Sequence, residues 1–526
     1  MNLDRPCPNW QDKVVGIYLE RQCPGGAVVA AARHPTCEVS PVRGSSVVVR
    51  GLLVALTLAS ARVVPAVAQA YEPTWESLDT RPMPAWFPDA KFGIFIHWGV
   101  YSVPSWIRVT EGRYASYAEW YYARVMGELK GEEDFHARTY GDDFEYRDFA
   151  PMFTAELFDP EYWAELFAES RARYVVLTSK HHDGFCLWPT KSPFKQGWNS
   201  MDVGPKRDLV GELTEAVRKR GLRMGLYYSL IEWETNRTHR TPSGRFIAQE
   251  TMDAYGIPLD RYVSDHVIPQ LKELVTAYQP AVIFADAGEW DEDEDFWKTK
   301  EFLAWLYNNA PNRDEVVVND RWAKGMPGHH GDYYSSEYQD VDGIGAGHPW
   351  EESRGMGRSY GFNRAENIDH YRTSKELVHE LIDVVSRGGN LLLNVGPTAD
   401  GRIPVIMQER LRDIGSWLAV NGEAIFGTRP WLPGGAHASD TAGAAPVRYT
   451  RKGTALYAEL LEWPEGDVRI DGLDPGDGVS VSLLGFAKPI EWRVEGRSVV
   501  FTPPLMSPRE MPNPYAYVFK ISGALK

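Results

Sequence analysis

The sequence predicts an α/β fold: a (β/α)8-like barrel followed by a C-terminal antiparallel β-sandwich. Between about residues 90 and 425, short apolar runs alternate at least six times with longer stretches of helical spacing. Those runs repeatedly end in His, Asp, Glu, Tyr or Arg, whereas beyond residue 430 short strands separated by Gly and Pro take over. The expected boundaries are an N-terminal extension over 1–70, the barrel over 71–428 and the sandwich over 429–526.

The extension reads as a leader. Arg43 and Arg50 precede an apolar run from Gly51 to Ala59, and Ala68-Gln-Ala70 offers a small-x-small site, so cleavage before Tyr71 is expected. A buried N-terminal helix is the competing reading, disfavoured because Arg62 and Pro65 interrupt it. Residues 1 to about 46 then read as an over-extended start. Cys7, Cys23 and Cys37 fall before the cut, which leaves Cys186 without a partner in the mature chain.

The barrel strands are expected at 91–97, 174–178, 223–228, 281–284, 316–318 and 391–395, all apolar runs bounded by polar or turn residues. Helices are expected at 161–172, 208–220, 261–278, 296–308, 374–387 and 404–421, with Gly221 closing the second. An open doubly wound sheet is the rival, but no Gly-rich phosphate-binding pattern follows any strand. In the C-terminal part, strands are expected at 455–462, 479–484, 490–494, 498–501 and 515–521, after a Gly/Ala-rich linker over 434–445.

Acidic groups outnumber basic ones, 72 to 56, and the resulting charge of −16 argues against a nucleic-acid partner. No apolar run is long enough to insert into a membrane. The oligomeric state stays open, a homo-oligomer included.

Five strand ends carry chemistry: His97-Trp-Gly99, His181-His-Asp-Gly-Phe185, Tyr227-Tyr-Ser229, Asp286 within Ala285 to Trp290, and Asn319-Asp-Arg-Trp322. A barrel core layer favours branched apolar side chains, so packing alone does not account for them. Two carboxyl groups flanking a neutral hydrogen-bonding pocket are what glycoside hydrolysis needs. Asp286 is the nucleophile candidate because a strand would hold it rigidly, with a helix N-cap as its plain alternative. Glu337 and Glu351 are both acid candidates, and both read as lying on a long loop after the fifth strand. No cofactor is implied. A metal centre built from His97, His181, His182 and Asp286 is the chemical rival, disfavoured because His97 is a single imidazole where a His-x-His pair is usual. The acidic run 291–295 reads as a solvated, helix-leading segment rather than a Ca²⁺ site.

The ordered set from Trp86 to Gly99, Ser102 to Trp106, Glu119-Trp-Tyr121, Lys180 to Phe185, Asn319 to Trp322 and Gly388 to Pro397 resembles the α-L-fucosidases of glycoside hydrolase family 29. The resemblance runs from about Trp75 to the C-terminus. It implies a retaining exo-glycosidase acting on fucosylated oligosaccharides or glycoconjugates, with Asp286 as nucleophile. The usual Trp-x-Asp-Gly context stands here as Phe284-Ala-Asp-Ala287. Glu337 matches the acid/base position ahead of Glu351. His97, Glu119, Trp120, His181 and His182 correspond to residues that hold fucose hydroxyls, and Tyr228 and Arg321 to sugar-contacting positions. Phe95, Tyr117 and Tyr360 correspond to aromatic positions near the C5 methyl. Linkage preference is expected to rest on loops such as 109–113 and 340–347.

Overall fold

The computed structural model describes residues 70–525 apart from 113, 127–132, 236–246, 288–291, 339–346, 432–440 and 443–444, all within the compact unit Ala68–Lys526. The expected leader and over-extended start, Cys7, Cys23, Cys37, most of the expected 434–445 linker and most of the 340–347 loop lie outside the described residues.

Eight parallel strands form one sheet: β1 (Phe92–Ile96), β2 (Tyr174–Lys180), β3 (Arg223–Ser229), β4 (Val282–Asp286), β5 (Val317–Val318), β6 (Tyr334–Glu337), β7 (Trp350–Gly355) and β8 (Asn390–Val395). Their order is β5-β4-β3-β2-β1-β8-β7-β6. The last junction, β5 to β6, is closed by Asp332 N and Tyr333 N donating to Val318 O at 3.0 and 3.4 Å. The Asp332 carboxylate accepts in return from Val318 N at 2.8 Å and from Arg81 at 2.9 Å. Helices Pro160–Glu169, Leu209–Lys219, Ile268–Tyr278, Thr299–Asn309, Ser374–Ser386 and Val405–Asn421 pack outside. Asp159, Asp208 and Thr373 cap three of them, accepting from the first-turn amides Tyr162 N, Gly211 N and Glu376 N. Gly221 follows the second at φ +76°, a left-handed turn that suits glycine.

β6 and β7 correct the reading of Glu337 and Glu351 as loop residues. Tyr334-Ser-Ser-Glu337 and Trp350-Glu-Glu-Ser-Arg-Gly355 lack the apolar run that marks a buried strand, yet both pair in parallel with their neighbours. Inside the barrel, Phe95, Val176, Tyr227, Val282, Phe284, Val317 and Leu392 form one apolar cluster, closed at the N-terminal end by Phe87. Gly93 makes room for the Tyr174 ring there, since a Cβ would stand 2.4 Å from it.

The C-terminal part adds a six-stranded sheet, which includes Ala445–Lys452, Ala455–Leu460, Ser480–Leu483 and Tyr517–Ser522, and a three-stranded one of Val468–Ile470, Glu491–Glu495 and Ser498–Thr502. The two share a separate apolar core, while Tyr457, Ala516 and Val518 pack into the barrel's outer core. Among the described residues no helix is long and apolar enough to cross a membrane.

Candidate active site

The C-terminal strand ends converge on one mouth. β4 ends on Asp286 and β6 on Glu337, whose side chains keep 13% and 11% of their exposure there. Tyr227, paired with Phe284 in the β3–β4 ladder, donates its hydroxyl to Asp286 Oδ2 at 2.9 Å. Tyr117 donates to Glu337 Oε1 at 2.9 Å, and Arg321 donates to Glu337 Oε2 at 3.0 Å. Burial alone would lower the Arg321 pKa, but the charges of Glu337 and then Asp286 outweigh it and raise it. The guanidinium therefore sits in the field of both carboxylates.

Three imidazoles line the same end, and burial keeps them neutral. It lowers His97 and His182 to about 3 and His181 well below its usual value. For His182 and His97 the tautomer follows from the partner. Ser229 Oγ donates to Ile231 O at 2.6 Å, so its contact with His182 Nδ1 at 2.7 Å is accepted from an Nδ1–H. The His182 Nε2, 3.7 Å from Asp286 Oδ2, then carries a lone pair. Asn394 Nδ2 donates to Tyr360 O at 2.6 Å, which turns its Oδ1 toward His97 Nδ1 at 2.7 Å. His97 too is left with an accepting Nε2, and both rings are suited to take hydrogen bonds from hydroxyl groups.

Glu119, on the short helix Ala118–Trp120, accepts from Gly361 N at 2.8 Å and is pushed up to about 7 by burial, against that bond. Trp120 stands edge-on to His182 at 6.3 Å. Phe95, Tyr117 and Tyr360 form a contiguous aromatic wall: Phe95 to Tyr360 at 6.1 Å, Tyr117 to Tyr360 at 5.4 Å, and Tyr360 stacked on His97 at 4.7 Å.

Two expected residues do not join this group. Tyr228 points to the opposite face of β3, where its hydroxyl donates to Gln270 at 2.9 Å and accepts from Lys180 at 3.0 Å. The period-2 alternation of a strand gives the inward position to Tyr227. Glu351 is the second residue of β7, beside Asn390 at the start of β8, and it accepts from Tyr174 at the start of β2. It therefore lies at the end of the barrel remote from Asp286, and burial raises its pKa to about 8 despite that hydrogen bond.

The sequence reading left four contributors without a role: Tyr227, Ser229, Asn394 and Trp233. Trp233 packs against His182 at 5.3 Å and His181 at 6.0 Å. Strand parity could have singled out Tyr227 and Ser229, which share an inward face, while nothing local marks Trp233. Among the described residues no group of three or more His, Cys, Asp or Glu could hold a metal ion. In the 291–295 run, Asp293 caps the helix Glu294–Trp297 by accepting from Phe296 N at 3.0 Å.

Two carboxylates at one mouth, with neutral acceptors for hydroxyls and aromatic side chains beside them, are the groups that cleaving a glycosidic bond calls for, and on a barrel of this topology they point to a glycoside hydrolase. The α-L-fucosidase pattern matches residues 58–423, and the α-L-fucosidase C-terminal domain matches residues 440–522. The chain is 41% identical over 458 residues to the tissue α-L-fucosidase of Bos taurus, covering 86% of this chain and 91% of that one. It is 42% identical over 476 residues to the plasma α-L-fucosidase of Rattus norvegicus, covering 89% and 97%. The crystal structure of Thermotoga maritima α-fucosidase in complex with fucose superposes with a TM-score of 0.72 at 39% identity, over 86% of this chain and all of that one. The chain belongs to the α-L-fucosidases, glycoside hydrolase family 29.

Proposed function

We propose that this exo-α-L-fucosidase works by double displacement with retention, Asp286 attacking the anomeric carbon and Glu337 acting first as acid and then as base. The observation that carries the assignment is the placement of these two carboxylates at the same mouth, on the ends of β4 and β6, with Arg321 beside both. Tyr227 holds one oxygen of Asp286, which fixes the rotamer for attack. Glu337 gives its proton to the departing oxygen as the covalent fucosyl ester forms. It then takes a proton from the water that hydrolyses the ester. His97 and His182 accept from sugar hydroxyls, and Glu119, with a pKa near neutrality, can donate or accept beside them. Phe95, Tyr117 and Tyr360 face the C5 methyl, where an apolar wall leaves no polar group unpaired.

The decisive experiment is Asp286→Gly. Turnover of an aryl fucoside should fall at least about 10³-fold, and azide should restore part of it with formation of a β-fucosyl azide. Near-normal turnover of the unrescued variant would remove Asp286 from the mechanism. Export is part of the same proposal: the apolar run before Ala70 and the plasma enzyme among the relatives support it. N-terminal sequencing of secreted protein tests it, with Tyr71 expected first.

A further inference from the structure

We propose that Asp320 and Ser335 are positioning residues for the acid/base, acting through Arg321 across the seam where β5 meets β6. This rests on the assignment of Glu337 above.

β5 has two residues, and among the described residues its backbone bonds to the β6 side run to Val318 O. Toward the mouth, side chains take over. Asp320, 1% exposed, accepts from Ser335 N at 3.0 Å and Ser335 Oγ at 2.6 Å through Oδ1, and from Gly328 N at 3.0 Å through Oδ2. Because the one hydroxyl proton of Ser335 goes to Asp320, Ser335 Oγ meets Arg321 as an acceptor, from Nε at 2.9 Å. Arg321 then donates through Nη1 to Glu337 Oε2. Ser335 and Glu337 are two apart on β6 and share a face, so one planar guanidinium spans them.

The other side of the segment is fastened to the nucleophile's strand. Asn319 exchanges two hydrogen bonds with Ala285, accepting from its N at 2.9 Å and donating to its O at 2.8 Å, and Ala287 N donates to Arg321 O at 3.0 Å. Residues 319–321 thus bracket Asp286 on one side and hold the β6 carboxylate on the other. Asp320 and Ser335 touch neither reacting carboxylate; they aim the cation that does.

The test is a double-mutant cycle on kcat/KM with two substrates, phenyl α-L-fucoside, whose leaving group needs a proton, and dinitrophenyl α-L-fucoside, whose leaving group does not. Ser335→Ala should lower the phenyl value about 10-fold or more and the dinitrophenyl value less than about 3-fold, the loss expected when a hydrogen bond to a charged group is removed. In a Glu337→Ala background the same substitution should add nothing on the phenyl substrate. Equal losses on both substrates, or an undiminished loss in the Glu337→Ala background, would overturn the proposal, because a purely structural role acts alike in every case. Failure of the underlying assignment has a different signature: Glu337→Ala alone would then lower both substrates equally.

Discussion

Replacing Glu351 by Gln separates the two acid candidates that the sequence offers, Glu337 first and Glu351 behind it. Glu351 is 1% exposed and hydrogen-bonded to Tyr174, and burial raises its pKa from 4.5 to about 8. Between those two values the folded protein keeps a proton that the unfolded chain has lost. The contribution of Glu351 to stability is therefore fully present below pH 4.5 and drains as pH rises toward 8. One pKa unit corresponds to about 1.4 kcal/mol, so the drain amounts to at most about 5 kcal/mol over the window. The neutral amide carries no such proton and keeps the shape that accepts from Tyr174. Denaturant unfolding of both proteins from pH 4.5 to 8.5 should show the variant gaining on the wild type as pH rises, while other buried acids such as Glu119 and Glu459 cancel in the difference. Activity should stay within about two-fold on good and poor leaving groups alike, since the residue lies at the far end of the barrel. A flat stability difference would refute the buried, protonated carboxyl. Loss confined to poor leaving groups would return the acid role to Glu351.

The neighbours Tyr227 and Tyr228 should part company when each becomes Phe. Tyr227→Phe should lower kcat about 10-fold or more by releasing Asp286, whereas Tyr228→Phe should leave kcat/KM within about two-fold and cost about 1 to 2 kcal/mol in unfolding assays as Lys180 and Gln270 lose a partner. Equal catalytic losses would contradict the assignment of the two faces of β3. Ser229→Ala frees the His182 tautomer and should raise KM about 3- to 10-fold with a smaller change in kcat, measured by initial rates; an unchanged KM would deny that the imidazole takes a sugar hydrogen bond. Proton NMR of the first product should show α-L-fucose before mutarotation, and β-L-fucose would mean that water attacks in a single step.

The strands of the barrel that are built from apolar runs were legible because burial on both faces demands such runs, and Asp286 was legible because it directly follows one. β6 and β7 were not, since their Ser and Glu side chains serve hydrogen bonds inside the barrel and give no hydrophobic signal. The pairing of Asp320 with Ser335, and of Ser229 with His182, joins residues 15 and 47 positions apart, distances over which local pattern carries no information.

The sequence by itself determined the alternation of strand and helix, the change to a sandwich, and the family motifs that name the chemistry. Only the tertiary structure decided which face of β3 meets the cleft and which carboxylate stands at the mouth. The physical reason lies in the geometry of a strand. Its residue pattern gives a period of two, but register and direction are set by what its neighbours pack against it. Glu337 at the last position of β6 thus meets Arg321 and Tyr117, while Glu351, near the first position of β7, meets the hydroxyl of Tyr174 at the closed end.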